Sequence, residues 1–258
     1  MSTDPDKALR RLRERATARP ADPLARAELC AALANTDEAD RCLDETRALI
    51  DNSLRLGAHD IARRAADYLF ESLGDPAWAV LAAEASLLAG DTEAGRSRLE
   101  SLAAQFPESP EAPTRLAALA LGEGDAPAAV RWIEPVATAS SETRVLYVQA
   151  LMAAQAPAEA LEFALDSAEA YPDSADQHLL VGLAQLANER PRRAVSAFSE
   201  ALRLDPTRPE IPYNLAIAFA LDGAVAAAIG VIDAALAARP RDGMLHALRA
   251  ELRSRLKV

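Results

Sequence analysis

The chain has 258 residues, half of them hydrophobic but only 4% aromatic, so Ala-rich helices in thin layers fit it better than a thick globular core. Asp plus Glu outnumber Lys plus Arg by 39 to 28, a formal charge of −11. That argues against nucleic acid as a partner, since affinity for a phosphate backbone rests on clustered cations, and it favours basic or apolar polypeptide partners. No unbroken apolar run approaches the ~20 residues of a membrane-spanning helix, so membrane insertion is not expected.

In chain order, Met1-Ser2-Thr3-Asp4-Pro5-Asp6 has no apolar run behind a basic start. The expectation is therefore no secretory signal and a cytoplasmic location, in a bacterium if the Ala and Arg bias reflects a GC-rich genome. Pro5–Ala18 is the first predicted helix and carries Lys7, Arg10, Arg11 and Arg13. Its stripe of Leu9, Leu12 and Ala16 is too narrow for a membrane-surface helix, so a solvated helix packed on its neighbour is expected. Pro23–Ala34, Asp37–Leu56 and His59–Leu73 follow as helices, the last two ending at Gly57 and Gly74. Two cysteines are too few for a disulfide framework. Cys30 and Cys42 each sit where a small residue should pack, so buried free thiols are expected, with a redox pair as the other reading. Residues 1–75 thus read as irregular helical hairpins.

From Pro76 the pattern becomes regular. Pro76–Ser109 carries Leu81, Ala83, Gly90-Asp91, Gly95, Leu99 and Pro107, and Pro110–Ser140 carries Leu116, Ala117, Gly124-Asp125, Ala129 and Ile133. Ser141–Ser174 has Tyr147, Val148, Leu151, Ala160, Ala164 and Pro172. Ala175–Arg208 has His178, Val181-Gly182, Ala194, Phe198, Ala201 and Pro206, and Pro209–Asp242 has Leu215-Ala216, Phe219, Ala228, Ile232, Ala235 and Pro240. Gly182 and Ala216, Ala194 and Ala228, and Pro206 and Pro240 are each separated by 34 residues. This array resembles the tetratricopeptide repeat, whose period is 34. The resemblance implies an all-α superhelical solenoid of about seven helical hairpins, with residues 76–242 as five regular repeats and 243–258 as a capping helix. Met244–Leu256 suits the cap, with Leu245, Leu248, Leu252 and Leu256 on one face.

Proline placement supports this register. Pro113 and Pro212 fall in the first turns of first helices, and Pro127, Pro157 and Pro191 in those of second helices, where a missing N–H costs nothing. Pro135 breaks the rule inside a second helix, which is therefore expected to stop there with a change of pitch.

The chain carries no catalytic signature. His59, His178 and His246 are far apart with no metal-ligand spacing, and no nucleophile elbow or phosphate-binding Gly loop occurs. His178, Trp78 and Trp132 read as packing residues. No enzyme activity, metal or cofactor is expected.

The resemblance further implies that the first helix of each hairpin lines a groove for a partner peptide or helix. Carried onto this sequence, the groove column is Val80 and Glu84, then Thr114 and Ala118, then Val145 and Gln149. It continues with Leu179, Leu183 and Leu186, then Tyr213, Asn214 and Ile217. One turn earlier, Glu111, Glu142, Asp176 and Glu210 would form an acidic rim suited to a partner with basic and apolar residues. The same acids would also interact favourably with their helix dipoles. Two subfamily signatures are missing, a Lys and Asn clamp for a C-terminal carboxylate and a ladder of Asn, of which Asn214 alone is present. A non-catalytic scaffold that binds another protein is the leading reading. The alternatives are a substrate-recruiting region of a modifying enzyme (oxygenase, sulfotransferase or glycosyltransferase type) and a self-associating homodimer.

Overall fold

The computed structural model describes residues 5–34 and 36–255, with no strand among them. The expectations resting on Met1–Asp4 and on Leu256 lie outside these residues. Among the described residues, fifteen α-helices follow one another in short-linked pairs. The first six are α1 Pro5–Ala18, α2 Pro23–Leu33, α3 Ala39–Arg55, α4 His59–Leu73, α5 Pro76–Leu88 and α6 Thr92–Gln105. Then come α7 Glu111–Glu123, α8 Ala126–Ile133, α9 Ser141–Ala153, α10 Pro157–Ala170 and α11 Ala175–Ala187. The last four are α12 Pro191–Leu204, α13 Glu210–Leu221, α14 Val225–Ala238 and the unpaired α15 Gly243–Arg255. Contacts divide the chain into two compact units, Met1–Leu116 and Ala117–Val258.

Local chemistry sets the helix ends. Asp22, Asp75, Asp91 and Asp125 each accept a hydrogen bond from a backbone N–H in the first turn of the next helix, satisfying donors that have no partner within the helix. Ser140 and Thr143 form a reciprocal capping box that starts α9. Between the two helices of each regular hairpin, one residue adopts the left-handed conformation: Gly90, Gly124, Gln155, Glu189 and Gly223. In each case the next residue's N–H reaches back five residues to a helix carbonyl, as Arg190 does to Gln185. Gln155 and Glu189 hold that backbone at φ 60° and 57° despite their Cβ atoms.

Helix α8 ends at Ile133, and Glu134–Val136 continues as a 3₁₀ turn around Pro135. The expected stop is therefore found. A proline ring cannot accept the preceding α-helical turn, and the tighter turn buries Val136 and Ala137.

In the N-terminal unit, Leu9 and Leu12 pack from α1 onto a core that includes Ala16, Leu29, Ile50 and Leu69, while Lys7, Arg10, Arg11 and Arg13 face solvent. Trp78 is buried in the same core beneath the Arg47 guanidinium, 5.6 Å from the ring centre. The expectation of free thiols is overturned, because Cys30 on α2 and Cys42 on α3 form a disulfide. The short α2–α3 connection turns two residues 12 apart onto facing sides of one hairpin, with Cα atoms 5.5 Å apart. The Thr46 hydroxyl donates to the Cys42 carbonyl at 2.7 Å and lies 3.1 Å from the Cys30 sulfur.

In the C-terminal unit, Trp132 packs half-buried beside Ile133 and Val136. The fourth residue of three first helices ties back to the preceding loop. Arg144 Nη2 donates to the Thr138 carbonyl at 2.7 Å, while His178 and His246 Nε2 lie 2.7 and 2.8 Å from the Pro172 and Pro240 carbonyls. The buried Arg144 also stacks on Tyr171, 4.4 Å from the ring centre, and donates to its hydroxyl.

Candidate partner-binding face

Within the C-terminal unit the first helices form a row, α9 touching α11, α11 touching α13, and α13 touching α15. Each second helix packs against the first helices on either side of it, as α12 does with α11 and α13. This arrangement turns one side of every first helix toward its second helices and leaves another side free.

The sequence-predicted residues of α9, α11 and α13 are half-buried or exposed and so fall on the incompletely covered side, whereas Val80 and Thr114 do not. Leu179, Leu183 and Leu186, at helical spacing along α11, are half-buried, whereas Leu180, Val181 and Ala184 beside them are buried. Their inner edges rest on Phe198, Leu215 and Ala218. On α13, Tyr213, Asn214 and Ile217 are half-buried between the buried pairs Ile211-Pro212 and Leu215-Ala216. On α9, Val145 is half-buried and Gln149 exposed. Asn214 spends its amide on its own helix, donating to the Glu210 carbonyl at 3.0 Å. In the N-terminal unit, Val80 and Thr114 are buried, and Glu84 is half-buried against Arg115 at 2.6 Å. Burial is the main cause that pushes the Glu84 carboxyl above its ordinary value, with Arg115 opposing it. Ala118, in the other unit, is exposed.

The acids lie in the first turns of their helices as predicted, Glu111 on α7, Glu142 on α9, Asp176 on α11 and Glu210 on α13. Their surroundings differ. Glu142 is exposed, and Glu111 accepts a hydrogen bond from the Ser109 hydroxyl. Asp176 is ion-paired with Arg208, whose guanidinium also lies 3.7 Å from Glu210 and 3.8 Å from Asp205. Asp176 is further fixed by a polar chain from the core. Ser167 donates to the fully buried Gln177 at 2.6 Å, Gln177 donates to Ser141 at 3.5 Å, and Ser141 donates to Asp176 at 3.0 Å. These bonds link α10, α11 and α9 and set the carboxylate's position. Arg208 was missed by the sequence reading. The signal was its place as the last residue of a repeat, directly before the next first helix.

Among the described residues no group of three or more His, Cys, Asp or Glu is placed to hold a metal ion. No described helix is long and apolar enough to cross a membrane.

Residues 179–243 match the family model of the tetratricopeptide repeat. The match covers about a quarter of this chain, from α11 to the start of α15. The chain's fold is similar to that of a tetratricopeptide-repeat protein from Parabacteroides merdae, with a TM-score of 0.59 at 12% identity, covering 95% of this chain and 99% of that one. It is also similar to yeast Tom70, with a TM-score of 0.59 at 15% identity over 85% of this chain, which spans 50% of that longer one. A third is YrrB, described as having an unusual peptide-binding site, with a TM-score of 0.52 at 15% identity, covering 72% and 98% of the two chains. At these identities the likeness is one of fold. No curated protein matches the chain significantly.

Proposed function

We propose that this repeat protein is a non-catalytic scaffold whose C-terminal unit holds a segment of a partner protein against α9, α11 and α13. The observation that carries this reading is the set of large aliphatic side chains, Leu179, Leu183, Leu186 and Ile217, left half-buried on two adjoining first helices. A soluble stack gains nothing from leaving such surface in water, at about 25 cal/mol per Å² of apolar area. Covering it with apolar partner residues recovers that energy. Glu142, Asp176 and Glu210 stand at the starts of the same helices, so a basic residue on the partner would meet carboxylates there. Part of that charge is already answered by Arg208. The apolar contacts therefore supply most of the affinity, and the acids mainly orient the segment. YrrB, which shares the fold, is described as binding a peptide, and this agrees with the reading.

The test is a crosslinking pull-down with the wild type and a Leu183→Asp, Ile217→Asp variant of unchanged helicity. The variant is expected to lose the partners the wild type retains. Equal recovery by both proteins overturns the assignment of this face.

A further inference from the structure

A separate cleft of about 710 Å³ lies in the N-terminal unit, between the α1–α2 turn and the α3–α4 turn. Its charged lining is Arg15, Arg19 and Arg64 against the single carboxylate of Asp22. This cationic excess occurs in a chain whose net charge is −11. Asp22 is committed to the start of α2, where one carboxylate oxygen accepts from the Leu24 and Ala25 N–H groups. Arg15 is held by Glu28, and Arg19 lies 3.9 Å from Asp22. Arg64 is exposed and makes no ion pair among the described residues. The α3–α4 side, which also carries Arg64, exposes two large aliphatic side chains, Leu56 at 76% and Ile61 at 46%. Two large aliphatic side chains in water beside a partly uncommitted arginine set are what an acidic, apolar ligand would cover.

We propose that this cleft is a second docking site, for a short acidic and apolar peptide segment of a partner protein. The carboxylates would pair with Arg19 and Arg64, and an adjacent aliphatic side chain would lie on Leu56 and Ile61. The volume is in the range of pockets that admit several side chains. A lipid surface fits less well, because a bilayer is bound by a protruding amphipathic strip and not by a concavity. Single-stranded nucleic acid would want aromatic platforms, and no aromatic residue lines the cleft. The chemistry is opposite in charge to that proposed for the C-terminal face, so the two sites would take different segments.

The test is fluorescence anisotropy of the full chain with a labelled peptide of alternating Glu and Leu, beside its Lys–Leu counterpart. Saturable binding of the Glu–Leu peptide, weakened at least tenfold by Arg64→Glu and by Leu56→Asp, is the expected result. Arg10→Glu, the same charge change on an exposed part of α1 outside the cleft, should alter affinity less than twofold. Leu183→Asp with Ile217→Asp should leave it unchanged, separating this site from the other face. Arg64 is exposed and unpaired, so its replacement tests the site without endangering the fold. No saturable binding, equal loss with Arg10→Glu, or sedimentation with phosphatidylserine vesicles while the peptide fails to bind would each overturn the proposal.

Discussion

The sharpest consequence of the packing is that one substitution should have opposite signs at two helical glycines. At Gly182 on α11, an added Cβ would lie 2.3 Å from Phe198 Cε1 and 2.4 Å from Cδ1. The Phe198 ring is fully buried, so it cannot swing into solvent to relieve the overlap. Overpacking of this kind costs about 1–3 kcal/mol. The gain in helix propensity from Gly to Ala returns about 1 kcal/mol. Because the overlap is deep, Gly182→Ala should destabilise by roughly 1–2 kcal/mol net. At Gly230 on α14 nothing lies within 4 Å of the same added atom, so Gly230→Ala should stabilise by about 0.5–1 kcal/mol. The neighbouring repeats supply the rescue. At the two positions held by Gly182 and Phe198, the preceding repeat has Val148 and Ala164 and the following one has Ala216 and Ile232, all buried. The small and large partners exchange while the pair stays filled. Gly182→Ala with Phe198→Ile copies the following repeat and should be more stable than the sum of the single changes by about 0.5–3 kcal/mol. Urea unfolding, with hydrogen exchange of the α11 and α12 amides as a local readout, compares the wild type with Gly182→Ala, Gly230→Ala, Phe198→Ile and the double variant. A neutral Gly182→Ala, or additive single changes, would show that the ring does not set the spacing of this hairpin.

Other consequences concern the turns, the disulfide and one carboxyl. Glu189 is held at φ 57°, a conformation costing about 1 kcal/mol for a residue with a Cβ. Glu189→Gly should therefore raise the urea midpoint slightly, the gain being reduced by the greater freedom of the unfolded chain. The Cys30–Cys42 bond closes a loop between residues 12 apart, and loops near this length are worth about 3 kcal/mol. Replacing both cysteines with Ser should lower the stability of the N-terminal unit by about that much and remove its sensitivity to dithiothreitol, measured by denaturation with and without the reductant. Glu84 has a carboxyl raised above its ordinary value of 4.5, chiefly by burial. The folded chain thus binds this proton more tightly than the unfolded one, and the resulting stability is present below the ordinary value and lost as pH rises through the raised one. Glu84→Gln should remove that component, so the wild type's advantage over the variant should grow toward acid pH. Parallel pH profiles of the two proteins would refute the assignment.

What could be read in the sequence, and what could not, divides along one physical line. Features that repeat every 34 residues are fixed within a single hairpin: the Gly-Asp turns, the proline starts and the small residues where helices meet. Residue type and spacing therefore revealed them, whereas the column from Val145 to Ile217 came from carrying the family's pattern onto the same register. The stop of α8 was also legible, because a proline acts on its own turn. Features joining residues that do not recur at the period were not settled by it. Cys30 and Cys42 meet only because two helices face each other across a short turn. Arg208 reaches Asp176 from 32 residues away, and no other repeat ends in Arg. Ser109, Ser140 and Ser174 close the three preceding repeats. That contrast bears on recognition. A strictly periodic stack would present the same acid, with the same partner, on every first helix, and a ligand could slide along it by one repeat. Here Asp176 is anchored by Ser141 and answered by Arg208, while Glu142 stands exposed. The large aliphatic residues are likewise concentrated on α11 and α13. On the proposed function, the departures from the repeat would set the register of the bound segment, and Arg208→Ala tests it. Freed of that cation, Asp176 and Glu210 should hold a basic segment more tightly, and the gain should fade at high salt. An unchanged affinity at low salt would mean that the carboxylates take no part in the contact.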